Sequence, residues 1–432
     1  MGKKIGKICA VVAAILIVLA GVLYGSYKLW IDPYRGTVEE FAPSEYGMDD
    51  TLSGEEARED LTYLMKCLKR RHPAWLDGSG KDKLVQAQYE KEKSSIGESV
   101  SLLELYRAAS RIVATLHDGH TRVYLQNDDE RYVDDFDLIH SYGNPVTING
   151  ISSQELLNTY QEMCSYETDY YAEACFWGNG IVTESILQMC GVDTSDGVTM
   201  TFQVNGKEIT HKFQFVSLDL VKGYQAGEED GKWVYYDIDK ENDLGIFTLK
   251  SCVCDEEYER VLGEFFQKVL RKDIGNVVVD LRGNGGGNSW VANEFLQYID
   301  AEEYNSWDCG VRLGPYLKEN KDIVYQNQKK AAVFKGNLYV LTDTWTYSAA
   351  MDFAMLIQDN GLGTIVGSPS GNLPDSYGDC LFFQLPNSGM PLTVSYKRWY
   401  RIDKSKAGEP IMPDIVVEPE KALEKVYELN RS

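Results

Sequence analysis

Histidine is scarce in this 432-residue chain, with five residues: His72, His117, His120, His140 and His211. A reaction that needs a side-chain base titrating near neutrality must draw on one of them. Positive charge is also short: 43 Lys and Arg stand against 66 Asp and Glu, a formal net charge of −23. Such a chain does not bind nucleic acid through its general field. Anionic headgroups repel it as well, so attachment to a membrane is expected to be hydrophobic. The glycine-rich stretch has neither Gly-Lys-Ser/Thr nor the Gly-x-Gly-x-x-Gly spacing, which excludes a P-loop and a dinucleotide fingerprint. No Gly-x-Ser-x-Gly surrounds Ser348, so the usual hydrolase elbow is missing too. There is no internal repeat. Cys9 aside, the cysteines at 67, 164, 175, 190, 252, 254, 309 and 380 form no regular framework. Their even number permits disulfides, and small buried thiols are the plainer expectation.

Apolar residues make up 44% and charged residues 25%, which implies a packed body. The length suggests two or three units. Residues 8–27 carry no charge, enough to cross a bilayer as one helix. Lys3, Lys4 and Lys7 precede this run and only Lys28 follows closely, which places the N-terminus in the cytoplasm and the body outside. A cleaved signal peptide is the alternative, but the run is long and no small-x-small site occurs near 21–26. The expected organisation is an anchor over 1–30, a tether and helical part over 31–139, a small strand-rich insert over 140–225 and a core over 236–432.

Apolar spacing predicts helices over 55–71 and 102–116, the first stopping before His72-Pro73. Residues 121–125 read as a strand, and the acidic stretch 128–136 as solvated. In the insert, Ser152-x-x-Glu155 reads as a capping box, and 198–204 with 208–215 as a hairpin around Asn205-Gly206. From residue 244 strands alternate with helices: strands at 245–249, 277–281, 338–341 and 364–366, helices at 256–269, 288–299 and 348–358. That rhythm predicts an α/β fold with binding groups at the carboxyl ends of its strands.

Three segments carry chemistry. Ser348 follows a strand and a short loop and opens a helix, whose free N–H groups favour a developing negative charge. A plain helix N-cap explains a serine there equally well. His120, between a helix and a strand, is the natural base for such a serine. His117, Asp118 and His120 also allow a metal site, but no other His or Cys cluster completes one. The loop 280–287, Asp-Leu-Arg-Gly-Asn-Gly-Gly-Gly, follows a buried strand and can aim a backbone N–H at an oxyanion. Nucleophile, base and two donors define an acyl-transfer site.

Asp118-Gly-His-Thr121, residues 280–287 and Tyr347-Ser-Ala-Ala350 resemble, in this order, the motifs of the S41 peptidases. That family includes the C-terminal processing (tail-specific) proteases and the tricorn core protease. Leu68 to Pro73, Ile365-Val-Gly367 and Pro413-Asp-Ile-Val-Val417 extend the resemblance over roughly residues 55–420. It implies a crotonase/ClpP-like ββα core that often carries a PDZ-like insert; the N-terminal helical segment and the one transmembrane helix read from the residues precede it. It further implies a serine-type endopeptidase that acts on peptides or proteins without cofactor or metal. Ser348 matches the nucleophile. Ala349 and Gly285, Gly286 or Gly287 match the oxyanion hole. The insert lacks a Gly-Leu-Gly-Phe-type carboxylate loop. The lysine that processing proteases pair with their serine is missing from 368–374, and Lys397 and Lys404 lie past a further strand. His120 therefore makes the better pair with Ser348. Gly119 replaces the serine beside the tricorn-type histidine. Glu409 is the acidic candidate for a third residue and Asp403 the next. A non-catalytic peptide- or lipophile-binding protein on the same fold, or an esterase-like acyl hydrolase, stays open as an alternative.

Overall fold

The computed structural model describes residues 2–44, 46–126, 130–224 and 231–431, with side chains from residue 12 onward. Lys3, Lys4, Lys7 and Cys9, read above from sequence, have side chains outside the described residues, as do 127–129 and residue 225 altogether.

A six-stranded sheet carries the site. Its order is Val234–Asp239, Leu244–Leu249, Asn276–Asp280, Asn337–Thr342, Thr364–Gly367 and Ile415–Val416. The first pair is antiparallel and the other four are parallel. Val277, Val278 and Val279 are fully buried, as a strand covered on both faces requires. Helices Glu256–Arg271, Trp290–Leu296 and Ala349–Asp359 pack on one face in a single core. Helix Ala422–Arg431, which the periodicity reading did not include, covers the other face through Ala422 and Val426. The parallel strands end together, so the loops after Asp280, Thr342 and Gly367 meet at one edge.

A second layer is an antiparallel sheet of Tyr316–Asn320, Asp308–Leu313, Pro391–Tyr400 and Tyr377–Gln384, with Arg122–Val123 added to Pro391–Tyr400. Three helices, Gly54–Arg71, Lys81–Ser95 and Leu102–Ala114, lie in one core with it. Two open on complete capping boxes, Ser53 with Glu56 and Ser101 with Glu104. The first ends at His72, where Pro73 follows.

The region expected to be a strand-rich insert holds more helix than strand. Helices Phe136–Tyr142, Ser153–Gln161, Asp169–Gly178 and Glu184–Met189 share a core with a four-stranded sheet built on the hairpin Val198–Val204 and Lys207–Phe213. The capping box at Ser152 does not form: Ser152 is the N-cap, but its side chain makes no capping bond. Cys67, Cys164, Cys175, Cys190, Cys252, Cys254, Cys309 and Cys380 are all free thiols. At the N-terminus, Gly2–Ser26 is one helix, and the span Val12–Ile31 has a mean hydropathy of 1.9 and is unburied. It is long and apolar enough to serve as a membrane anchor or a signal sequence.

Candidate active site

Ser348 sits at the N-cap of helix Ala349–Asp359 with φ 52° and ψ −124°. That is a left-handed conformation a non-glycine residue adopts at a cost of about 1–3 kcal/mol. Its side chain makes no capping bond. The hydroxyl instead lies 3.0 Å from His120 Nε2. The strain is held in place from several sides. Ser348 N–H donates to Asn372 Oδ1 at 2.9 Å, Tyr347 N–H donates to Asn284 O at 3.0 Å, and Thr346 Oγ1 donates to Leu281 O at 3.0 Å.

The glycine loop packs directly on this turn. A Cβ on Gly286 would lie 2.8 Å from Ala349 N, Ser348 Cβ and Tyr347 O, and its φ is +99°. Only glycine fits so close a backbone approach. Gly286 N–H is already used, donating to Asn284 Oδ1 at 2.8 Å. The amides of Gly285, Gly287 and Ala349 have no hydrogen-bond partner among the described residues, and all three residues line the cleft. Asn284 itself is fully buried, and its amide donates to Leu249 O at 2.8 Å.

His120 is placed by the other layer. The strand Arg122–Val123 pairs with Pro391–Tyr400, and Thr393 Oγ1 donates to His120 O at 2.8 Å. Behind the imidazole stands Asp118, fully buried. Its Oδ1 accepts from His120 N–H at 3.0 Å and lies 3.7 Å from His120 Nδ1. That second contact is electrostatic, being longer than a hydrogen bond. Asp118 Oδ2 accepts from Thr121 Oγ1 at 2.5 Å and meets His72 Nε2 at 3.0 Å. His72 Nδ1 accepts from Ala74 N–H at 3.2 Å, so its proton belongs on Nε2, directed at Asp118. Burial holds the His72 imidazole below its ordinary value despite Asp118, which keeps this donor neutral. Burial works against an ionised Asp118, but His120 and His72 outweigh it and hold the carboxyl well below the usual range. For His120, burial pulls the imidazole down, and Asp118 with Glu167 raises it to a net value above the ordinary one.

Glu167 comes from the helical insert. Its carboxylate accepts from Tyr347 O–H at 2.6 Å and from Gly119 N–H at 3.2 Å, one residue from each catalytic candidate. Burial pushes its carboxyl up, against the pull of His120. The same segment grips three loops. Ser165 Oγ bonds Asp118 O and Thr121 O, Thr168 Oγ1 bonds Gly371 O, and the Tyr171 ring lies 4.6 Å from that of Tyr347. Asp118, His120 and Glu167 offer ligand atoms within 4.8 Å of one another, the one such group among the described residues. His117 is exposed and takes no part, so the His117, Asp118 and His120 set read from sequence is not assembled. The cleft over Ser348 has a volume of about 510 Å³. Asp352, one helical turn after Ser348, also lines it, and burial pushes its carboxyl up to about 7.

Residues 243–417 match the model of peptidase family S41. This region belongs to that family. The chain is accordingly a serine-type peptidase, a hydrolase. Solved structures share its fold. A CPAF mutant superposes with a TM-score of 0.62 at 12% identity, covering 87% of this chain and 95% of that one. Mature CPAF does so with a TM-score of 0.60 at 12% identity and the same coverage.

Within the S41 region the sequence reading located Ser348, Ala349 and the glycine loop, and His120 lies before it. The structure brings these together. It does not bring Glu409. That side chain is exposed and does not line the cleft, and the residue enters the structure through its backbone carbonyl, which accepts from Arg401 at 3.2 Å. Asp403 caps the turn at Ser405. Lys397 is paired with Asp379, and Lys404 lies 2.9 Å from Asp308. The carboxylates that do face His120 are Asp118 and Glu167. Asp118 was visible in its motif but weighed as a metal ligand. Glu167 carries no local signal, because its partner Tyr347 lies 180 residues away, and Asn372 reaches Ser348 from the loop of the next strand.

Proposed function

We propose a membrane-anchored, extracytoplasmic serine peptidase in which Ser348 is the nucleophile and His120 its base. The observation that carries this reading is the 3.0 Å separation of His120 Nε2 and Ser348 Oγ. A carboxylate opposite Nδ1 favours a proton there and leaves Nε2 free to accept one. Ser348 Oγ attacks the scissile carbonyl carbon, and its proton passes to His120 Nε2. The oxyanion is held by the N–H groups of Ala349 and Gly287. Gly287 is preferred to Gly285 because it shares a peptide unit with Gly286, whose Cα stands against Ala349 and Ser348. The imidazolium then gives its proton to the leaving amine. Water, deprotonated by His120, cleaves the acyl-enzyme. Asp118 orients the imidazole and stabilises its charge, in the role first read onto Glu409.

The close Ser–His pair favours catalysis over a binding protein on the same fold. The parallel sheet with helices layered on it supports a crotonase-like core over 236–432. Segment 1–30 serves as the anchor, with its N-terminus in the cytoplasm, and 140–225 serves as an insert of PDZ-like position. Peptide hydrolysis and fluorophosphonate labelling test the assignment. Ser348→Ala and His120→Ala should each lower kcat/KM by roughly 10⁴–10⁶-fold. Labelling that survives in Ser348→Ala sinks it. Hydrolysis of esters but not peptides by the wild type would favour the acyl-hydrolase alternative.

A further inference from the structure

The chain is strongly acidic, yet one cavity is lined by cations. At the foot of the N-terminal apolar helix, Arg35, Lys69, Arg70, Arg71 and Arg312 surround a space of about 210 Å³. Asp32 is the one carboxylate lining it among the described residues, and it is engaged with Lys28 at 2.6 Å and with Tyr34 N–H at 3.0 Å. The cations come from three separate segments, the run Lys69-Arg70-Arg71 joined by Arg35 and Arg312 from far along the chain.

Backbone carbonyls hold the arginines. Arg71 donates to Pro33 O at 3.4 Å and to Arg35 O. Arg312 donates to His72 O at 3.1 Å, to Lys69 O at 3.0 Å and to Gly314 O. Arg35 and Arg70 both reach Leu29 O, at 3.1 and 3.4 Å. These bonds fix the guanidinium planes without cancelling their charge. Burial alone pulls Arg312 down to about 10, and burial is also the main cause of the lowered Arg71. A structural role explains part of this, since Arg35 and Arg70 satisfy a carbonyl at the end of the apolar helix. It does not explain five cations around a space whose one carboxylate is already held by Lys28. Two of the five, Arg71 and Arg312, are buried, and buried charge of one sign is costly unless something neutralises it.

We propose that this cavity binds a phosphate group, carried by a phospholipid headgroup or by a free phosphate. Guanidinium forks match phosphate oxygens in pairs, and two of these forks are pre-oriented. Leu29 and Trp30, 50% and 70% exposed, stand beside the cavity at the end of the apolar helix. An aromatic residue and basic residues at that depth lie at headgroup level when such a helix spans a bilayer. The overall charge of −23 opposes an anionic surface. Screening over about 8 Å at physiological salt nevertheless leaves the local cluster in control. The proposal does not depend on the peptidase reading.

The test uses the full-length chain in a neutral detergent. Thermal unfolding is followed with added phosphatidylglycerol, phosphatidylcholine or inorganic phosphate. Phosphatidylglycerol and phosphate should each raise the midpoint, phosphatidylcholine less, and the half-saturating concentration should be at least tenfold higher in Arg35→Gln/Lys69→Gln/Arg70→Gln. That variant leaves the buried Arg71 and Arg312 in place, and a far-UV circular dichroism spectrum like that of the wild type reports its fold. A rise with phosphatidylglycerol alone assigns the site to a lipid headgroup, and a rise with phosphate alone to a soluble phosphate. The single change Lys69→Gln, at an exposed side chain, should weaken both in the same direction and keeps the test open if the triple variant is unstable. No rise with either anion, an equal rise with phosphatidylcholine, or a variant that responds like the wild type overturns the proposal.

Discussion

Ser348 and the glycine loop leave neighbouring strands of one parallel sheet, Asn337–Thr342 and Asn276–Asp280, whose ladder of backbone hydrogen bonds fixes their spacing. His120 has no such scaffold. It stands on a loop of the antiparallel layer, between His72 of the N-terminal helices, Asp118 of its own turn and Glu167 of the insert. The nucleophile half is therefore set by backbone, and the base half by packing between layers. In the first half, one atom in the wrong place destroys the geometry. In the second, loss of one partner weakens a charge arrangement that others still support.

A large effect is expected in the backbone half. Gly286→Ala adds a Cβ 2.8 Å from three atoms of the Ser348 turn, at a φ that only glycine tolerates well. We expect kcat/KM to fall about 10³-fold, the loss typical of a disrupted oxyanion hole. A full-activity Gly286→Ala variant would mean that the loop does not set the site.

In the packing half, Asp118→Asn should lower kcat/KM by roughly 10²–10⁴-fold and shift its acid limb. Activity needs neutral His120, so it rises as pH passes the histidine value, which lies above the ordinary 6.5. Removing the carboxylate should move that limb down. Asp118, Glu167, Arg122 and Asp352 all act on or beside this imidazole. Asp352, at about 7, titrates in the same window, so Asp352→Asn is the control. Stability follows the same pair. The raised His120 value contributes stability that is lost as pH rises through it, and the depressed Asp118 value contributes stability lost as pH falls below the ordinary 3.8. Asp118→Asn should flatten both arms in denaturant titrations across pH. Glu409→Gln should change neither rate nor limb.

A smaller effect belongs to Glu167→Gln. It keeps the bond from Tyr347 but removes a charge near His120. About a tenfold loss in kcat/KM with a lowered acid limb is expected, given that about 1.4 kcal/mol is one factor of ten. An unmoved limb would leave Glu167 a structural strut only.

The contrast also explains what could be read in advance. The parallel core announced itself through runs such as Val277 to Val279 and through the helix after each strand, because every element buries itself against its chain neighbours. The antiparallel sheet did not. Strands such as Tyr316–Asn320 are polar and exposed, and the cover of their sheet comes from helices hundreds of residues earlier. The insert was misread because one clear hairpin, Val198–Val204 with Lys207–Phe213, outweighed four short helices of weak periodicity. At the site, Ser348, His120 and the glycines lie in motifs. Glu167 acts across layers and Asn372 from the loop of the neighbouring strand, neither within a motif, and the choice of Glu409 over Asp118 took late chain position for proximity.

The smallest effect separates strain from chemistry. Ser348 is held at φ 52°, at a cost of about 1–3 kcal/mol. Ser348→Gly removes the hydroxyl and the strain together, while adding about 0.5–1 kcal/mol of backbone entropy to the unfolded chain. Ser348→Ala removes the hydroxyl and leaves the strain. Both variants should be inactive, but the glycine variant should be the more stable by about 1 kcal/mol in reversible denaturant unfolding. Equal stabilities would mean that the turn is relaxed in solution. The close approach of Gly286, rather than backbone tension at the serine, would then hold the nucleophile against His120.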